Sequence, residues 1–314
     1  MSGGWRPARS METDMAESPL VAGVELGGTK VVCLLARGPD EVVEQTRIDT
    51  TTADATLAAV ADVLADMRRR HGFAAIGLGG FGPLELDPAS PAHGRVLATP
   101  KPGWEGADLL AMARVFDVPV GLDTDVNGAA LAEGRWGAAR DLSNFAYITV
   151  GTGVGVGAIT AGRPLRGLGH CEAGHLRVPR RADDRFPGVC PFHGDCVEGL
   201  ASGPAVAARA GAPAEALAVD HPAWDDAVQA LAGLCHNLIC TMSPQRILLG
   251  GGLGMGQPHL LPRLRRAVME SLGGYAVAAR IERNIDAYLV HPALGARAGP
   301  LGAVALGLDA LSLS

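Results

Sequence analysis

Two apolar runs, Leu20–Leu26 and Val31–Ala36, are separated only by Gly27-Gly28-Thr29-Lys30, a spacing that predicts two strands joined as a hairpin. The period then changes. Between Asp54 and Arg70, Leu57, Val60, Ala61, Leu64 and Met67 recur on one face with Gly72 just beyond, which predicts an amphipathic helix. Ala75–Gly79 reads as a short buried strand and Gly80–Trp104 as a turn-rich connection. A helix over Leu109–Phe116, a strand over Val118–Leu122 and a helix over Asn127–Trp136 complete the first half.

The second half repeats this grammar. Phe145–Val150 and Val154–Thr160 flank Gly151-Thr152-Gly153 and predict another hairpin with Gly-Thr at its tip. After a loop-rich stretch, Arg163–Gly199, the pattern predicts a helix over Trp224–Met242, a strand over Arg246–Leu249, a glycine run over Gly250–Gly256 and a helix over Leu260–Leu272. A strand over Ile285–Val290 and a helix over Leu301–Leu311 close the chain. Two α/β halves that each open on a hairpin imply a duplicated fold. Residues 1–19 carry no such pattern and are expected to form a disordered leader, with Met11 and Met15 as alternative translation starts.

A length of 314 residues suits two domains, and 48% apolar against 19% charged residues allows a substantial core. The balance of 27 basic against 33 acidic side chains, net −6, argues against a nucleic-acid partner. Nothing near the start resembles a secretion signal, and six cysteines make no disulfide scaffold at this length, so a cytoplasmic, reducing setting is expected. The longest uncharged stretch, Leu142–Gly162, is broken by five glycines and by Ser143, Asn144, Thr149, Thr152 and Thr160, which argues against a membrane span. Glycine is the outlier: 43 residues, about twice the usual share.

Part of that glycine lies in three turns suited to a nucleotide. Gly27, Gly28, Thr29 and Lys30 combine open backbone with a hydroxyl and an ammonium, a set that can cradle phosphate. Strands on both sides exclude a Walker loop. The run Gly151–Gly157 mimics a dinucleotide fingerprint in spacing, but a β-period segment follows it instead of a helix. Gly250–Gly254, between a strand and a helix, suits a flat adenine on bare backbone. Asp123-Thr124-Asp125-Val126-Asn127 ends a strand and opens a helix, where a carboxylate can accept a hydroxyl proton as the oxygen attacks a γ-phosphate. Asp125 and Asn127 are read as functional, Asp123 as a cap or support.

His175, Cys190, His193 and Cys196 supply two imidazoles and two thiols at spacings that complete a tetrahedral zinc set, with no open position for water. His170 and Cys171 are nearby competitors, whereas Cys33, Cys235 and Cys240 fall in apolar segments and are expected to be buried thiols. Glu172 and Glu198 flank this loop and can accept hydrogen bonds from sugar hydroxyls. His175 can serve twice, one ring nitrogen on zinc and the other towards a ligand.

Together these residues resemble the ROK family of sugar kinases, and its bacterial fructokinase branch in particular. The resemblance runs from about Leu20 to the C-terminus. It rests on Glu25–Lys30, Thr99-Pro100-Lys101-Pro102-Gly103-Trp104, Asp123–Gly128, Gly151–Gly157, Glu172-Ala173-Gly174-His175 and, above all, the segment Cys190–Pro204 with its Cys-His-Cys knot. It implies a two-lobed actin-like ATPase (ribonuclease H-like) α/β fold with duplicated α/β domains and an inserted zinc-binding loop. The lobes implied are 20–122 with 297–314, and 123–296. It further implies ATP, Mg²⁺ and structural Zn²⁺, a hexose substrate with fructose foremost, and a homodimer. Asp125 is then the general base, and Asn127, Glu172, His175 and Glu198 contact the sugar. Gly27, Gly28, Thr29, Lys30, Thr152 and Gly153 line the phosphates, and Gly251 and Gly252 the adenosine. Two departures bear on chemistry: Glu25 stands where many members carry Asp, and Gly79-Gly80-Phe81-Gly82 replaces a stretch that often bears a small hydroxyl residue. Glucose, mannose and N-acetylhexosamine are the rival substrates. The family also includes sugar-responsive repressors with an N-terminal DNA-binding domain, for which the nineteen residues before the first strand are too few.

Overall fold

A computed structural model describes residues 19–313 of the chain, so the expectation for residues 1–18 lies outside the described residues. The first hairpin forms as expected: β1 (Val21–Leu26) pairs antiparallel with β2 (Lys30–Ala36) across the glycine turn. The chain continues through β3 (Val42–Asp49), α1 (Ala53–Arg70), β4 (Ala75–Gly80), α2 (Ala111–Arg114), β5 (Val120–Thr124) and α3 (Asp125–Trp136). The second half runs β6 (Phe145–Val150), β7 (Val154–Thr160), β8 (Arg163–Pro164), α4 (Val197–Ala201), α5 (Gly203–Ala210) and α6 (Ala223–Met242). It ends with β9 (Arg246–Gly250), α7 (Gly252–Gly256), α8 (Leu260–Leu272), α9 (Ala278–Glu282), α10 (Ile285–Tyr288), β10 (Leu289–Val290) and α11 (Ala298–Leu313).

The duplication is visible in the sheets. The first has the order β3-β2-β1-β4-β5 and the second, read from the matching edge, β8-β7-β6-β9-β10. In each, the opening hairpin and its outer neighbour are antiparallel and the remaining pairs parallel. Both sheets end on a strand followed by a long helix, α3 after β5 and α11 after β10. These two helices are exchanged: α11 packs on β1, β4 and β5 of the first sheet, α3 on β6 and β7 of the second, and the two cross each other. The architecture is the two-lobed α/β fold expected.

The crossing accounts for much of the glycine. A Cβ at Gly77 on β4 would stand 1.8 Å from the carbonyl oxygen of Ala303 on α11, so no larger residue lets helix and sheet meet there. Where the helices cross, a Cβ at Gly302 would lie 2.3 Å from the carbonyl carbon of Gly128. Glu133 of α3, fully buried, accepts backbone N–H bonds from Ala138 (2.6 Å), Ala293 (3.0 Å) and Leu294 (2.8 Å), tying the central helix to the segment that enters α11.

Some expectations need correction. Strand β3 was not foreseen, because it is an edge strand whose Val42 and Val43 are exposed and whose formation rests on pairing with β2. The Ile285–Val290 strand is mostly the helical turn α10, and only Leu289 and Val290 pair, with Ile247 and Leu248. The helix foreseen over Leu109–Phe116 shrinks to Ala111–Arg114. Cys240 is exposed on α6, whereas Cys33 and Cys235 are buried. No helix among the described residues is long and apolar enough to cross a membrane.

Candidate active site

The β5–α3 junction concentrates the polar groups. Thr124 caps α3, its Oγ1 accepting from Asn127 N–H at 3.2 Å, so neither Asp nor Asn is spent on capping, contrary to the simplest reading of this stretch. Asp123, 1% exposed, is the support: Oδ1 accepts from Thr124 N–H (2.7 Å) and Asn127 Nδ2 (2.8 Å), and Oδ2 pairs with Arg166. That arrangement fixes the Asn127 amide. Its nitrogen is committed to Asp123, and its Oδ1 is buried with no partner among the described atoms. A buried acceptor left unmade costs about 1–3 kcal/mol, and this oxygen is available to accept from an incoming donor.

Asp125 occupies the first position of α3, half-buried, with Oδ1 accepting from its neighbour's amide, Val126 N–H at 2.8 Å. Burial, followed by the negative charges of Glu25 and Glu172, pushes its carboxyl up to about 7. A carboxylate in that range changes protonation near neutrality, as a general base requires.

Glu172 precedes a single 3₁₀ turn, Ala173–His175, and burial followed by the charge of Glu198 raises its carboxyl to about 7. His175, Cys190, His193 and Cys196 converge as expected, with all four ligand atoms within 4.8 Å of one another. His175 Nδ1 lies 3.4 Å from Cys196 Sγ, 3.6 Å from Cys190 Sγ and 3.2 Å from His193 Nδ1, and Cys190 Sγ lies 3.7 Å from His193 Nδ1. A tetrahedral zinc with the usual bond lengths has edges of about 3.3 Å between nitrogens and about 3.6 Å between nitrogen and sulfur, so the donor set fits that ion. His170 and Cys171 lie outside the set. His170 accepts from the backbone instead, with Nε2 3.0 Å from Leu84 N.

The glycine turns lie around these groups. Gly27 N–H closes the first hairpin on Lys30 O (2.9 Å), Gly28, Thr29 and Lys30 are exposed at its tip, and the Lys101 ammonium donates to Gly28 O at 2.5 Å. In the second hairpin Gly151 N–H donates to Gly153 O (2.9 Å) across Thr152. Glu198 Oε2 accepts from Val154 N–H (3.1 Å), and a Cβ on Gly153 would stand 2.6 Å from that oxygen, so Glu198 links the Cys/His cluster to this turn. Gly251 has φ +82° and lies against Val150, a conformation and an approach that demand glycine; Gly252 follows beside Gly151. Arg166, His170 and Lys101 carry contacts here that their local sequence does not announce, because each partner is at least 43 residues away.

Residues 21–310 match the model of the ROK family. Among curated proteins, the chain is 40% identical over 296 residues to a fructokinase of Zymomonas mobilis, covering 91% of this chain and 96% of that one. It is 38% identical over 293 residues to a fructokinase of Pediococcus pentosaceus, covering 93% and 99%. Among solved structures, the ROK hexokinase of Thermus thermophilus superposes with a TM-score of 0.74 at 26% identity, covering 94% of this chain and 100% of that one. The matched span begins at the first strand and takes in the capped aspartates, the glycine hairpins, the four-ligand cluster and most of the crossing helix, and on that evidence the chain belongs to the ROK family.

Proposed function

We propose that this protein is an ATP-dependent fructokinase that converts fructose and MgATP to fructose 6-phosphate and MgADP. The observation that carries the chemistry is Asp125, half-buried on the first turn of α3 with its carboxyl near 7, beside the unpartnered Oδ1 of Asn127. The fructokinase relatives at 38% and 40% identity support the choice of sugar.

In the proposed reaction Asp125 takes the proton of the 6-hydroxyl as that oxygen forms its bond to the γ-phosphorus, and the bond from phosphorus to the β-phosphate oxygen breaks. Asn127 Oδ1 accepts from a sugar hydroxyl, and Glu172, His175 and Glu198 orient the remaining ones. Gly27, whose own N–H closes the turn on Lys30 O, shapes the cradle in which Gly28, Thr29, Lys30, Thr152 and Gly153 offer amide, hydroxyl and ammonium donors to the phosphates, and Gly251 and Gly252 leave room for the adenosine. Glu25, whose carboxyl is raised by burial and lowered by Lys30, is the residue we assign to Mg²⁺, which when bound supplies charge neutralisation at the phosphates. His175, Cys190, His193 and Cys196 are assigned to a structural zinc. We divide the chain into lobes 20–122 with 297–314, and 123–296, a division supported by the seating of α11 on the first sheet and α3 on the second. The proposed enzyme works as a homodimer in the cytoplasm.

An ADP-release assay over fructose, glucose, mannose and N-acetylhexosamines tests the substrate. Fructose is expected to give a kcat/KM at least about 10-fold above the others, in keeping with a site built to hydrogen-bond particular hydroxyls. A higher value for any aldose refutes the assignment of fructose.

A further inference from the structure

Glu172 lies between two imidazoles, each tied down at its far nitrogen. His175 Nε2 is 3.9 Å from Glu172 Oε2, and its Nδ1 belongs to the four-ligand cluster. His170 Nδ1 is 3.4 Å from Glu172 Oε1, and its Nε2 accepts the N–H of Leu84 at 3.0 Å. That bond sets the tautomer: a ring accepting at Nε2 carries its proton on Nδ1, the atom facing the carboxylate. Leu84, 2% exposed, belongs to the apolar core around the first sheet, so its amide is a fixed anchor, and the His170 side chain is 5% exposed. The Glu172 side chain is itself 44% exposed.

The turn that carries His170 reaches across twice. Gly167 N–H bonds to Gly169 O at 3.0 Å, Arg166 and His170 face each other as an isolated bridge, and Arg166 pairs with Asp123, which in turn holds Asn127. Room for the ring is made by Gly82, where a Cβ would stand 3.2 Å from His170 Cε1 and 3.3 Å from Glu172 Oε1. Resting on the reading of Glu172 as a sugar contact, we propose that His170 is a positioning residue, an imidazole anchored on Leu84 of the first sheet's core that holds the Glu172 carboxylate for the hexose. Hexose affinity therefore depends on how the two halves meet across this ring.

Kinetics and direct fructose binding of the full-length, zinc-loaded protein test this with His170→Phe, His170→Gln, Glu172→Gln and the double variant His170→Phe/Glu172→Gln. His170→Phe is expected to raise KM and Kd for fructose roughly 10-fold, the scale of replacing a polar neighbour of a charged group with an apolar one, with KM for ATP and zinc content unchanged. His170→Gln should recover most of the loss, since an amide can accept from Leu84 and donate to Glu172. The double variant should bind no more weakly than Glu172→Gln alone, because the ring acts through that carboxylate. An unchanged fructose KM in His170→Phe, or additive losses in the double variant, overturns the proposal. Should the phenylalanine variant lose its fold, Gly82→Ala, which presses on both groups, is expected to raise fructose KM several-fold in the wild-type background and not in Glu172→Gln; equal behaviour in both backgrounds overturns it as well. Failure of the functional reading would appear separately, as a wild-type protein inactive on fructose, and the same cycle then reads Kd for the hexose it does phosphorylate.

Discussion

Asp125→Asn is expected to lower kcat by about 10²–10⁴-fold while fructose binding changes little, because the amide keeps the shape of the carboxylate and cannot take a proton. The same substitution should stabilise the ligand-free protein. In the fold the carboxyl of Asp125 sits at about 7, raised by burial and by Glu25 and Glu172, against an ordinary value of 3.8. Between those values the folded state holds a proton that the unfolded state releases, so the stability contributed by this group is full below the lower value and is lost as pH rises through 7. The asparagine variant should therefore gain on the order of 2–4 kcal/mol at pH 8 and much less at pH 5, where the wild-type carboxyl is itself protonated. For the wild type, kcat/KM should rise with pH through about 7 as the base ionises. Thermal melts at the two pH values, with single-turnover rates, measure both effects. Near-wild-type turnover by the variant would remove Asp125 from the chemistry.

Loss of the metal should be the second large effect, and it should fall on structure and sugar affinity together. His175, Cys190, His193 and Cys196 lie in a stretch with few regular elements, between β8 and α4, where the proposed four ligand bonds would replace a local core. Besides the contacts of Arg166 with Asp123 and of His170 with Leu84, the outer part of the stretch is anchored by ion pairs. Asp184, 8% exposed at its side chain, pairs with Arg180 and Arg209, and Arg209 also reaches Asp226 of α6. Those arginines hold the Asp184 carboxyl well below its usual range. The outer part of the loop should accordingly stay docked when the metal leaves, and the inner part around the four ligands, between Glu172 and Glu198 of α4, should loosen. Cys196→Ser, or exhaustive chelation, is expected to lower Tm by about 10 °C and to raise KM for fructose more than roughly 10-fold, with a smaller change for ATP. An unchanged Tm after confirmed zinc removal would deny the ion a structural role.

How far the sequence carried depended on how local each signal was. Both hairpins, α8 and the helix after Asp123 were legible because their apolar periods and glycine turns lie within a dozen residues. The Cys/His cluster was legible for the same reason, three of its four members lying in the knot Cys190–Cys196. Strand β3 was not, because its residues alternate weakly and its place is fixed by β2. Helices α4 and α5 were hidden in a glycine-rich stretch, although Ser202, which accepts from Ala205 N–H at 3.3 Å and precedes Pro204 in the first turn, is a readable start signal in retrospect. Within the site, the positions of Asp125 and Asn127 followed from a strand running into a helix. The role of Thr124 as the cap, which spares both side chains from capping, is visible only in the structure. His170 read as a rival metal ligand because its partner, the Leu84 amide, lies 86 residues earlier and no spacing rule reaches that far.

The most direct measurement is the structure of the protein crystallised with fructose and a non-hydrolysable ATP analogue. The Asp125 carboxylate is expected within about 2.6–3.2 Å of the sugar 6-hydroxyl, on the side away from the γ-phosphate, with Asn127 Oδ1 accepting from a neighbouring hydroxyl. An Asp125 carboxylate out of reach of every sugar oxygen, with another base at the 6-hydroxyl, would contradict it.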